Sequence, residues 1–100
     1  MSYSILIKPE AERDLQNAYL FYEEQRIGLG LEFLFATEAE IKRIQKNPLY
    51  FQKKHREIRR TFTKRFPFGI FFFIDNSVII ILGIIHTKMD ESTWKNRQSI

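Results

Sequence analysis

Apolar and polar positions divide the chain into two halves of different period. Ser2 to Ile7 alternates weakly, with Tyr3, Ile5 and Ile7 against Ser2, Ser4 and Leu6, and predicts a short first strand. Pro9 suits the first turn of a helix, and Glu10, Glu12 and Asp14 favour its positive end. Ala11, Leu15, Ala18, Tyr19 and Tyr22 then recur at helical spacing through about Arg26. Gly28 and Gly30 bracket Leu29 and predict a helix–helix turn. A second helix is expected from Leu31 to Lys46, with Phe33, Thr37, Ile41 and Ile44 along one stripe; Asn47 and Pro48 stop it. So short a connection predicts a helical hairpin. The period then changes. Arg56 to Phe62 reads as a basic strand, and Phe68–Ile74 and Val78–Ile85 as strands joined by a tight turn at Asp75, Asn76 and Ser77. Beyond His86 the pattern stops; Asp90 or Ser92 can cap a short last helix carrying Trp94 and Arg97, and a loose tail is the alternative.

The last two strands are apolar at both side-chain parities. Ile70, Phe72 and Ile74 oppose Phe71 and Phe73; Val78, Ile80, Leu82 and Ile84 oppose Ile79, Ile81 and Ile85. An antiparallel sheet with one wet face shows clean alternation instead. Two helices cover one face only, so the other needs a partner chain, a second copy, or the tail folded back through Trp94. One tryptophan is small for that task, which points to a protein partner. Leu34 and Phe35 lie off the main stripe of the second helix and extend the apolar surface.

Composition narrows the chemistry. One hundred residues make one domain, and the absence of cysteine excludes disulfides, a thiol nucleophile and thiolate metal sites. No basic region precedes the short apolar run before Lys8, so no signal peptide is read and a cytoplasmic location is expected, with no membrane partner. The net charge of +4 is concentrated: Lys53, Lys54, Arg56, Arg59, Arg60, Lys64 and Arg65 against Glu57 give a local +6. That stretch favours an anionic partner such as nucleic acid, an acidic protein segment or phosphate. Gly28-Leu29-Gly30 lacks what a phosphate loop needs, and no zinc, EF-hand or nucleophile-elbow pattern is present; no metal or cofactor is expected. His86 closes an apolar strand where polar sequence begins. Beside Arg56, Arg59 or Arg60 it can handle a proton while guanidiniums stabilise a phosphate, with His55 and Glu57 as the nearest second acid–base groups. Recognition and plain structural roles for His86 stay open. Phe62, Phe66 and Phe68 read as anchors of a strand junction stiffened by Pro67.

The order of these pieces is specific. A short strand precedes Pro9-Glu10-Ala11 and Asp14-Leu15; Tyr22, Gly28-Leu29-Gly30, Phe33, Ile44 and Asn47-Pro48 follow. Arg56, Arg65-Phe66-Pro67-Phe68, Ile84-Ile85-His86, Trp94 and Arg97 complete the series. Together they resemble the RelE/ParE superfamily of bacterial type II toxins over nearly the whole chain. The resemblance implies an α+β fold: an N-terminal strand and a two-helix hairpin packed on a small, curved, mostly antiparallel sheet. It implies a cognate antitoxin that wraps the toxin, with Leu34, Phe35, Phe71, Phe73, Ile79, Ile81 and Trp94 as candidate contacts, and operator DNA bound only indirectly through that antitoxin. The long hairpin and the ending His86-Thr87-Lys88-Met89-Asp90 look ParE-like, which implies poisoning of DNA gyrase. Lys53, Lys54, Arg59, Arg60, Lys64 and Arg65 are then the candidates for target or anion binding. The alternatives are a RelE-like mRNA endoribonuclease acting on the ribosome, with His86, Arg56, Arg59 and Arg60 as its site, and an inactive interaction module. RelE-type enzymes carry a tyrosine near the chain end, whereas the last tyrosine here is Tyr50.

Overall fold

The structure is a computed structural model and describes residues 2–98. Strand β1 (Ser4–Ile7) runs straight into α1 (Pro9–Gln25), with Pro9 in the first turn as its fixed φ favours. Helix α2 begins at Leu29, two residues earlier than the pattern predicts, and ends at Lys46. The two glycines of the connection therefore do different work. Gly28 takes a left-handed φ of 92° at the N-cap, while Gly30 lies inside the first turn of α2. A Cβ on Gly30 would stand 2.6 Å from the Tyr19 carbonyl oxygen, so Gly30 is what lets α2 approach α1. Glu23 fastens the corner, its carboxylate accepting the Gly28 N–H at 2.9 Å and the Gly30 N–H at 3.0 Å.

After a 3₁₀ turn at Pro48–Tyr50 the chain forms β2 (Lys53–His55), β3 (Ile58–Phe62), β4 (Phe68–Asp75) and β5 (Val78–His86). The single basic strand expected over 56–62 is thus a hairpin. Arg56 sits in its turn at φ 52°, a left-handed conformation uncommon for a side-chain-bearing residue. The sheet order is β1-β5-β4-β3-β2; β1 pairs with β5 in parallel and the other pairs are antiparallel. The α+β architecture inferred from the sequence is the one observed.

A bulge explains the double apolar parity. Phe71 pairs with Gly83 and Phe72 with Ile81, so Leu82 is an extra residue in β5. Past it the faces exchange. Ile84 joins Ile70, Phe72, Ile79 and Ile81 beneath the helices, while Ile85 turns to the far side with Phe71, Phe73, Ile80 and Leu82. Strict alternation had placed Ile84 with Leu82 and Ile85 with Ile81. Backbone groups at the bulge find partners outside the ladder: Ile84 N–H donates to Asp14 Oδ2 at 3.1 Å, and Leu82 O accepts from Arg97 Nη1 at 3.1 Å.

The helix-covered core centres on Phe33, which Tyr22, Phe66 and Phe68 surround with ring centroids 4.9–5.4 Å apart, mostly edge to face. The far face is closed by the chain itself, against the expectation of an open surface. Helix α3 (Ser92–Lys95) brings Trp94 flat onto Phe71, with centroids 4.4 Å apart and ring planes 22° apart. Trp94, Phe71 and Phe73 are each at least nine-tenths buried. The tail is pinned by Arg97, whose Nη1 donates to Asp14 at 2.7 Å, and by Lys8, whose Nζ donates to Arg97 O at 3.2 Å. Trp94 suffices because β4 and β5 present a narrow strip and Ile58 of β3 fills its flank.

Candidate functional site

The basic stretch does not gather into one cluster. Arg59 stands opposite Phe72 in the ladder and so faces the helix side, where its Nη1 donates to Phe51 O at 2.6 Å. Arg60, opposite Phe71, faces the tail side. Arg65 bonds Glu32 of α2 at 2.7 Å, and Lys53 pairs with Glu57 at 3.1 Å. Hydrogen bonds from Arg65 and Arg26 hold the Glu32 carboxyl below its ordinary range. Lys54, Arg56 and Lys64 are exposed along the β2–β3 edge and the loop after β3, near the exposed Leu49 and Tyr50. Of the three arginines expected beside His86, the fold brings one.

That one is Arg60. With His86 it lines a pocket of about 290 Å³ whose walls include Phe62, Gly69, Phe71 and Trp94. Its guanidinium lies over the Phe62 ring, 4.5 Å from the centroid. Among the described residues, Arg60 Nε is the buried side-chain polar atom left without a hydrogen-bond partner. His86 packs edge-on against Phe68, and its Nδ1 accepts the Lys88 N–H at 3.1 Å, which leaves Nε2 as the free ring nitrogen. Glu91 also borders the pocket, but it pairs with Lys95 at 2.8 Å, and that hydrogen bond lowers its pKa. His55 lies near Trp94, with ring centroids 6.3 Å apart, and is not among the residues lining the pocket. Sequence reasoning missed Phe62 and Gly69 as pocket residues, because only the pairing of Phe62 with Gly69 across β3 and β4 places them there.

A second concavity is apolar. A groove of about 500 Å³ runs between β1 and α2, lined by Ile5, Ile7, Leu31, Leu34, Phe35 and Ile41. Leu34 and Phe35 thus lie on accessible surface, Phe35 being 60% exposed. Phe71, Phe73 and Trp94 are instead packed together on the tail side, and Ile79 and Ile81 are wholly buried under the helices. Of the seven residues proposed as antitoxin contacts, two therefore border an open surface. The bulge and the returning tail remove the other five from it.

Among the described residues no group of three or more histidines and carboxylates converges as a metal site, and no helix is long and apolar enough to cross a membrane.

Comparison with known proteins places this geometry. The sequence model described as the ParE toxin of the type II toxin–antitoxin system parDE matches residues 5–91. The chain belongs to the ParE toxin family. Among solved structures, this ParE-family fold is similar to a chain of the chromosomal ParDE system from P. aeruginosa, with a TM-score of 0.78 at 20% identity over 87% of this chain and 98% of that one. It is less similar to a chain of the RelBE2 toxin–antitoxin complex from Mycobacterium tuberculosis, with a TM-score of 0.53 at 18% identity over 86% and 99%. A search of curated protein sequences gave no match. Likeness at these identities concerns the fold; the family match carries the assignment to toxins.

Proposed function

We propose that this chain is the toxin of a type II toxin–antitoxin pair, that it arrests growth by poisoning DNA gyrase, and that a cognate antitoxin neutralises it. The match of the ParE family over residues 5–91 carries the reading. The hairpin of 17- and 18-residue helices and the greater likeness to a ParDE chain than to a RelBE2 chain support it. The antitoxin occupies the apolar groove at Leu34 and Phe35, the surface a partner helix or extended segment can bury. The exposed cations Lys54, Arg56 and Lys64 face the target. Cleavage of mRNA is the weaker reading, because Arg59 turns away from the pocket that holds His86.

Induced expression without antitoxin tests this, with DNA topology and transcripts sampled within minutes. Trapped gyrase-cleaved DNA with intact messages is the expected result. Messages cut within translated codons, with normal supercoiling, would replace gyrase by the ribosome as target.

A further inference from the structure

We infer that the Arg60–His86 pocket binds a phosphate monoester attached to an aromatic base, the chemistry of a mononucleotide or of the phosphorylated end of a strand. The proposal does not depend on gyrase being the target. It starts from the buried Nε of Arg60, which has no partner, and from the absence of any carboxylate within ion-pair distance of that guanidinium among the described residues. A buried donor without an acceptor is costly, and Nε together with one Nη forms the fork that suits a phosphate in bidentate fashion. Stacking on Phe62 fixes the plane of the guanidinium and so pre-organises the fork.

The other walls complete the recognition chemistry. His86 presents Nε2 as a second donor in its neutral form, since Nδ1 is already occupied by the Lys88 N–H. Glu91, the carboxylate at the rim, is partly neutralised by Lys95. Phe62 is 48% exposed and offers an aromatic surface to a base. Gly69 keeps the floor open, since a Cβ there would stand 3.1 Å from the Phe71 ring and 3.5 Å from Arg60 Cδ. An acidic peptide would use the fork but not the aromatic surface, which favours the nucleotide.

Titration of the full chain with AMP, adenosine, glutamate and a 5′-phosphorylated trinucleotide, followed through the His86 ring protons by NMR, tests this. AMP or the trinucleotide is expected to shift the His86 signals saturably, with adenosine and glutamate much weaker; which of the first two binds tighter identifies the source. Arg60→Gln should weaken binding about tenfold or more, the loss of one charged hydrogen bond. Lys46→Gln, at an exposed position on α2, should leave it unchanged. Equal weakening by both substitutions would reduce the effect to diffuse electrostatics and overturn the proposal, as would glutamate binding as tightly as AMP. Unmoved His86 signals with both phosphate probes in the unsubstituted chain overturn it too, whatever the folding of the variants. Cutting of the trinucleotide would overturn the gyrase reading and leave the binding site standing.

Discussion

On one face of the sheet, helices of 17 and 18 residues bury Phe33, Ile44, Phe72 and Ile81 completely. On the other, a four-residue helix brings down one tryptophan over Phe71. Both interiors are dry, yet they are held differently. The helix side is tied by side chains along α1 and α2, among them the buried Glu40, which accepts from Thr61 Oγ1 and from Arg43, each at 2.6 Å. The tail side is tied at its end, through Arg97 on Asp14 and Leu82. A segment anchored by its last turn can detach as a unit, whereas a helical hairpin does not leave the sheet without unfolding. The comparison separates what holds the fold from what merely covers it.

The contrast can be broken by substitution. Phe33→Ala should cost the most, about 3–5 kcal/mol in urea denaturation, because the aromatic cluster around it cannot collapse into the cavity. Trp94→Ala should cost about 2 kcal/mol, the burial of one large side chain, since the tail can come away instead of leaving a void. It should also raise hydrogen exchange in β4 and β5 ahead of the helices; equal losses for the two variants would erase the distinction between the faces. Thr61→Val should cost about 1 kcal/mol in thermal unfolding, as one neutral donor to Glu40 disappears while Arg43 stays. The smallest effect concerns Glu32. Its folded pKa is depressed by Arg65 and Arg26, so its contribution is present above the ordinary glutamate range and is lost as pH falls through the depressed value. Glu32→Gln should flatten only that acid limb of a stability–pH curve and leave the neutral plateau nearly unchanged, because the group is exposed.

The elements were legible because their signals are local. Helical spacing from Ala11 to Tyr22, the stop at Asn47-Pro48 and the turn at Asp75–Ser77 each depend on residues a few positions apart. The start of α2 was misplaced because Gly30 reads as a turn residue until Tyr19 is known to lie against it. The strand over 56–62 became two strands because Arg56 takes a turn conformation that its side chain does not advertise. The candidate site was half legible. His86 and Arg60 stood out by chemistry, yet their meeting depends on the registers of β3, β4 and β5, and the same registers send Arg59 to the opposite face. The open sheet face was misjudged for a related reason: one bulged residue exchanges the parity of everything after it.

The parallel pairing of β1 with β5 has a consequence for how the protein is made. Ser4 meets Val78, and Asp14 meets an arginine 83 positions further along. During synthesis the first strand must wait, unpaired, until nearly the whole chain has emerged, while the helical hairpin is free to form at once. The apolar groove beside α2 has β1 as one wall, so it too is finished last. A nascent chain therefore displays its helices long before it displays the surface assigned to its neutralising partner, and capture by that partner becomes a late, post-synthetic event.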